Sequence, residues 1–96
     1  MAMELEEYLE RVRVVAEDAE DLADDLSAGL KKKVTGEALN ALLKKGKTKI
    51  TDYHALLSLL SGNRLEEAKK TCAYPIGRVE NNLNKLEEWT KSNGAC

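Results

Sequence analysis

The stretch MELEEYLERVRVVAEDAEDLADDLSA, residues 3–28, decides the fold class. Its apolar side chains recur every three or four residues, which is the period of a helix with one buried stripe. We therefore predict a long amphipathic helix over about 3–28, with Gly29 as its stop. The residues of its apolar stripe are Leu5, Tyr8, Leu9, Val12, Val15, Ala16, Ala19, Leu22, Ala23 and Leu26.

The opposite face of this predicted helix is acidic. Residues 1–30 contain ten acids and two arginines, a net charge of −8. Acids at helical spacing form a negative ridge, which is either a solvated helix face or a docking surface for a basic partner. As a docking surface, the ridge has these protein-binding candidates: Glu10, Glu17, Asp18, Asp21, Asp24 and Asp25.

Two short helices are predicted in the middle of the chain, over about 35–45 and 51–61. Thr35 and Thr51 are residue types that cap helix N-termini, and glycines 46 and 62 follow the two apolar segments as stops. Leucines nearly encircle the second of these helices. A homodimer that buries Leu59 or Leu43 would cover the surplus apolar surface.

A second long helix is predicted over about 63–91. Its apolar positions keep the spacing of threes and fours straight through Pro75, which favours one helix kinked at the proline. The alternative is a break at Tyr74, with Pro75 at the first position of a new helix. The apolar stripe consists of Leu65, Ala68, Cys72, Ile76, Val79, Leu83, Leu86 and Trp89 or Thr90.

The sequence thus predicts an all-α protein, a small helical bundle that forms a single domain over 1–96. No strand pattern interrupts the helical periods. The two short helices either form one broken arm along the two long helices or fold back as a hairpin that makes the long helices antiparallel. Helix lengths alone allow both layouts.

Seven lysines and one acid give residues 31–50 a net charge of +6. Lysines at helix ends and in loops neutralise phosphates, so the Lys-rich segment 31–49 is the candidate nucleic-acid surface. Arginine and aromatic side chains are missing from 31–50, so bidentate base readout and base stacking are not supplied. Alternatively these lysines complement the acids of the first helix, either in the same molecule or in the partner of a dimer. The lysines are Lys31, Lys32, Lys33, Lys44, Lys45, Lys47 and Lys49.

Catalytic patterns are weak in this chain. His54 is the only histidine and has no carboxylate one turn away, and Cys72 lies on an apolar stripe. Calcium loops, Glu-x-x-His pairs, zinc spacings and glycine-rich phosphate loops do not occur. We therefore expect no enzyme activity, no metal site and no cofactor.

Composition points to an ordinary reducing compartment. Apolar residues make up 43% and charged residues 33%, and the two cysteines, Cys72 and Cys96, are not expected to pair. A signal-peptide pattern and an apolar run of membrane-spanning length are both missing, so we expect a cytoplasmic, intracellular protein without membrane partners. Together these patterns favour a non-catalytic protein-binding, adaptor or inhibitor protein that acts through charged helix surfaces. The alternative is nucleic-acid binding.

Overall fold

Three long helices make up the structure, a computed structural model that describes residues 3–94. They are α1 (Leu5–Lys32), α2 (Gly36–Ser58) and α3 (Gly62–Trp89), and a short π-helical segment, Thr90–Gly94, follows. The described residues contain no strand. The prediction of an all-α bundle is confirmed, whereas the predicted count of four helices is wrong.

The helices α1 and α3 run parallel, and α2 runs antiparallel to both. Contacts between α1 and α3 advance together along the two chains, from Tyr8 with Arg64 to Asp24 with Arg78. The bundle is therefore elongated, at 48 × 19 × 17 Å. Of the two predicted layouts, the single arm lying along both long helices is the observed one, and that arm is unbroken.

The two predicted short helices are one helix, α2, which passes through the glycine expected to end the first of them. Gly46 is buried, and a Cβ atom added there would stand 2.8 Å from Cδ1 of Leu83 in α3. The missing side chain lets α3 approach closely, which is why a residue that weakens isolated helices is tolerated here. Thr51, predicted as a cap, lies inside the helix and donates its hydroxyl to the Lys47 carbonyl at 3.0 Å.

The first helix also continues past its predicted stop. Gly29 is buried against Leu42 of α2, so its role is close packing. The helix instead ends at Lys33, which adopts the left-handed conformation at φ 55°. Two backbone bonds close this end, from Val34 N–H to the Gly29 carbonyl and from Lys33 N–H to the Leu30 carbonyl, each 3.2 Å. This is the Schellman arrangement, with lysine in the position that glycine usually takes.

The helix α3 is continuous through Pro75, as its apolar spacing predicts. The alternative of a break at Tyr74 is wrong. Pro75 is buried, and glycine 62, expected to end the preceding helix, is the first residue of α3, with φ 60°.

An aliphatic core runs the length of the bundle. Several of its fully buried residues are small, which lets the helix backbones approach one another; they include Ala19, Ala23, Ala68 and Cys72. Two residues of the predicted α1 stripe lie outside the core, because Leu5 and Leu9 are more than half exposed near the start of the helix. Most of the surplus leucines of α2 are covered by α1 and α3, and Leu59 remains 59% exposed.

Candidate docking groove between α1 and α2

A cleft of about 440 Å³ lies where α1 and α2 pack side by side, and we call it the charged cleft. Three carboxylates of α1 face three lysines of α2 across it, and Leu22 contributes an apolar floor. Antiparallel packing places the acidic second half of α1 beside the lysine-rich first half of α2. The charged residues that line the cleft are Asp18, Asp21, Asp25, Lys44, Lys45, Lys49 and Asp52.

These opposite charges are poorly paired with one another. Lys49 Nζ lies 3.5 Å from an Asp18 carboxylate oxygen, which is the single ion pair across the cleft in the part of the chain that the structure describes. The Lys49 side chain is only 17% exposed, because its aliphatic part packs along the helices. The remaining five charges of the cleft have no ion pair among the described residues: Asp21, Asp25, Lys44, Lys45 and Asp52.

A second cleft, of about 330 Å³, continues along the same pair of helices, and we call it the apolar cleft. Val14, 38% exposed, and Leu59, 59% exposed, line it together with Ala55. Three charged residues also line it: Glu10, Arg11 and Asp52. Asp52 lines both clefts, so they form one surface, the α1–α2 groove. On α1 it extends from Glu10 to Asp25, about 22 Å at the rise of an α-helix.

The predicted acidic face of α1 does not stay together as one ridge. Glu10, which also lines the apolar cleft, and Glu17 both bind Arg13. The hydrogen bond to Glu10, followed by the negative charges of Glu10 and Glu17, raises the pKa of the Arg13 guanidinium above its ordinary value. Asp24 pairs with Arg78 of α3 at 2.8 Å. This hydrogen bond is the main cause that raises the pKa of the Arg78 guanidinium above its ordinary value. The other three candidates, Asp18, Asp21 and Asp25, line the charged cleft.

The seven predicted lysines are also divided. Lys31, Lys32 and Lys33 lie at the end of α1, at one end of the bundle. Lysines 44, 45 and 49 face the α1 carboxylates, as the intramolecular alternative describes, and Lys44 also borders a depression on the outer side of α2 with Lys47. The Lys-rich segment is therefore not one uniform basic patch.

The interface between α1 and α3 is bonded far more thoroughly. Tyr8 Oη donates to the Arg64 carbonyl at 3.1 Å, and the Arg64 guanidinium lies over the Tyr8 ring, 5.1 Å from its centroid. The Asn82 amide donates to the Ala23 carbonyl at 3.0 Å. At the far end the Trp89 indole N–H donates to the Val34 carbonyl at 2.7 Å.

Cys72 and His54, the residues considered as nucleophile and base, have the following surroundings. Cys72 is fully buried, and burial raises the pKa of its thiol, which is the opposite of what a nucleophilic thiolate requires. His54 is exposed beside the Tyr53 ring, with centroids 5.4 Å apart. Cys96, the other cysteine, lies outside the described residues.

Within residues 3–94, no group of three or more His, Cys, Asp or Glu side chains is arranged to hold a metal ion. The aspartates of the charged cleft thus lie near lysines without forming a cation cage.

Val14, Ala55 and Asp52 are among the groove residues that sequence reasoning missed. Val14 falls off the predicted apolar stripe, and an apolar residue on the polar side of an amphipathic helix is the signal that would have marked it. Ala55 and Asp52 carry no such signal, because their position in the groove depends on which side of α2 meets α1.

None of the helices in the described part of the chain combines the length and the apolar character that crossing a membrane requires. Comparisons with protein-family models, with curated proteins and with solved structures return no match.

Proposed function

We propose that this protein is a non-catalytic protein-binding module whose α1–α2 groove receives a helix of a partner. The observation that carries this proposal is the exposure of Val14 and Leu59 in the apolar cleft, directly beside the incompletely paired charges of the charged cleft. Apolar side chains next to charged residues of both signs are typical of a protein interface.

The dimensions of the groove favour a helical partner. A length of about 22 Å matches four turns of α-helix, about 15 residues. Amphipathic helices bind such grooves by placing apolar side chains of one face, spaced three or four residues apart, into the floor. The charged cleft then selects a partner with both acids and bases at one end of that face.

The alternative, nucleic-acid binding through the Lys-rich segment 31–49, is less well supported. The carboxylates of Asp18, Asp21 and Asp25 lie in the same cleft as three of its lysines, so they repel the phosphates that those lysines would attract. Exposed Val14 and Leu59 also have no role in phosphate binding. For these reasons we place the partner among proteins.

Site-specific photo-crosslinking tests the proposal. A photoreactive amino acid replaces Ala55 in the apolar cleft, and a matched variant carries it at Ala73, an exposed residue of α3 that lines neither cleft. In cells that naturally make the protein, we expect a discrete protein adduct from position 55 and none from position 73. Adding Leu59→Lys should abolish that adduct, because it places a charge in the apolar cleft.

A DNA titration separates the two functions. Purified protein is mixed with a fluorescent random duplex at low and moderate salt, and the same is done with a variant in which Lys44, Lys45, Lys47 and Lys49 are glutamine. We expect no binding at moderate salt. A lysine-dependent complex with a steep salt dependence, together with equal crosslinking from positions 55 and 73, would replace the protein-binding proposal with the nucleic-acid one.

A further inference from the structure

The protein that covers the groove can be specified further. This step rests on the proposed function of the groove as a protein interface, and it takes two helices of the partner, rather than one inserted helix, as the cover. We propose that the occupant of the α1–α2 groove is a second copy of this chain, related by a two-fold axis parallel to the long axis of the bundle. In this arrangement α1 of each copy lies against α2 of the other, and four helices enclose the two grooves.

Residues of α1 and α2 that face each other in the groove lie at the same height, that is, at the same position along the long axis of the bundle. Because α1 and α2 are antiparallel, Asp18 lies level with Lys49, and Val14 lies level with the end of α2 near Leu59. A two-fold axis parallel to the bundle preserves these heights. It therefore brings the Val14 of one copy toward the Leu59 of its partner, and buries both apolar side chains.

The same operation matches the charges. Asp21 and Asp25, which have no ion pair among the described residues of their own chain, come to face Lys44 and Lys45 of the second copy. The reverse contact forms on the other side of the axis. The interface is then a four-helix bundle with α1 and α2 from each copy. All neighbouring helices in it are antiparallel, which is the usual arrangement of helical bundles with short connections.

A two-fold axis perpendicular to the bundle gives a worse match. It reverses the heights, so the charged cleft of one copy covers the apolar cleft of the other. Asp21 and Lys44 would then be buried against Val14 and Leu59, which is unfavourable for charged groups. The charged residues at that end of the groove, Glu10 and Arg11, already pair with Arg13 and Glu7 of their own helix. Charge and apolar complementarity therefore favour the parallel axis.

The size of the groove limits the affinity expected for the dimer. It covers about 22 Å of a bundle 48 Å long, so the contact is at the small end of specific protein interfaces. We expect a micromolar dimer that weakens as salt rises, because part of its complementarity is between exposed charges.

Charge exchange between two variants tests the pairing. One variant carries Asp21→Lys and Asp25→Lys, and the other carries Lys44→Asp and Lys45→Asp. Each variant alone places like charges against each other across the axis, so we expect self-association at least about tenfold weaker than in the original protein. Mixed in equal amounts, they place opposite charges together at every contact, and we expect a heterodimer in sedimentation equilibrium.

Two further variants keep this test decisive if a charge-exchange variant fails to fold, which circular dichroism shows. Leu59→Lys alters a side chain that is 59% exposed in the single chain, so it should leave the fold intact and abolish the dimer. Lys69→Asp with Lys70→Asp changes two exposed lysines of α3 outside the groove and should leave self-association unchanged.

A pair of cysteines reports the direction of the axis. In a Cys96→Ser background, one variant carries Val14→Cys and another carries Leu59→Cys. Mixed in equal amounts, they should form a disulfide-linked heterodimer on mild oxidation if the axis is parallel, because that axis brings position 14 of one copy toward position 59 of the other. For the perpendicular axis both positions face the charged cleft of the partner, and no such product forms. Ala73→Cys in place of Leu59→Cys is the matched control on α3.

The outcomes separate the two proposals. A monomer at all concentrations, together with a groove-specific adduct whose mass includes a different protein, overturns the second copy and leaves the docking groove supported. An adduct with the mass of two chains, lost in Leu59→Lys, supports both. A monomer with no groove-specific adduct overturns both.

Discussion

The two sides of α1, one facing α3 and the other facing α2, differ in how completely their polar and charged side chains are paired. Toward α3, polar side chains are paired: Tyr8 of α1 and Asn82 of α3 each donate to a backbone carbonyl of the other helix, and Asp24 binds Arg78. Toward α2, one loose ion pair bridges a stretch of seven charged side chains, and Val14 and Leu59 remain exposed. The α1–α3 interface is complete within one chain, whereas the α1–α2 groove is not.

This difference separates groups that hold the fold from groups to which we assign a partner as a proposal. Satisfied polar groups around a dry core stabilise and fix the packing of α1 on α3. Incompletely paired charges beside exposed apolar surface contribute little to the stability of a monomer, since exposed ion pairs are weak. A surface of this kind is better explained by association than by folding.

The largest expected contrast is between a leucine of the core and the leucine of the groove. Leu26 is fully buried, so Leu26→Ala should lower the free energy of unfolding by about 3 kcal/mol. Leu59→Ala should lower it by less than about 0.5 kcal/mol, because the side chain is mostly exposed. Urea unfolding at low protein concentration measures both, and equal losses would contradict the distinction.

The free energy of unfolding at alkaline pH tests whether the thiol of Cys72 is shielded from water. Its thiol has an ordinary pKa of 9.0, which burial raises in the folded chain. The unfolded chain therefore releases this proton first, so the contribution of Cys72 is complete below pH 9 and is lost as pH rises through the raised pKa. The expected slope is up to about 1.4 kcal/mol per pH unit above pH 9.

The control for this pH effect is Cys72→Ala. Between pH 9 and 10 its unfolding free energy should fall less steeply than that of the original protein. Above pH 10 both proteins should lose stability, because burial is the main cause that raises the pKa of Tyr53 above its ordinary 10.0. Identical curves for the two proteins between pH 9 and 10 would show that the thiol is not buried.

A smaller effect is expected from one hydrogen bond that closes the end of the bundle. Trp89→Phe removes the indole N–H and leaves the Val34 carbonyl without its donor, which should cost about 1–2 kcal/mol. Tyr74→Phe is the control, because Tyr74 is 71% exposed and its ring can still contact Arg78. Its effect should stay within about 0.5 kcal/mol, and thermal unfolding compares the two.

The smallest contrast is between two neighbouring aspartates. Asp24→Asn breaks the ion pair with Arg78 and should cost about 0.5 kcal/mol relative to Asp25→Asn, which breaks no ion pair among the described residues. Both substitutions remove a negative charge near the C-terminal end of α1, so the helix dipole contributes similarly to each. An Asp25→Asn loss equal to that of Asp24→Asn would mean that the groove is internally paired after all.

Many residues of the candidate site could be predicted from the sequence, but their arrangement in one cleft between two helices could not. The acids Asp18, Asp21 and Asp25 and the lysines 44, 45 and 49 are all among the residues predicted for binding. The sequence predicts them as two separate surfaces, with mutual complementarity as the alternative. Helical spacing shows which side chains share a face of one helix. It does not show which face of a second helix lies opposite, so the meeting of the two groups in one cleft had to come from packing.

The helical class, the aliphatic core and the continuity of α3 through Pro75 follow from the sequence alone, since periodicity is a local property of each segment. The continuation of α2 through Gly46 follows instead from its packing in the bundle. The local cost of a glycine inside a helix is about 1 kcal/mol, and close packing against Leu83 outweighs it. Tertiary packing likewise decided which charges pair and which stay open, because pairing depends on neighbours distant in the chain.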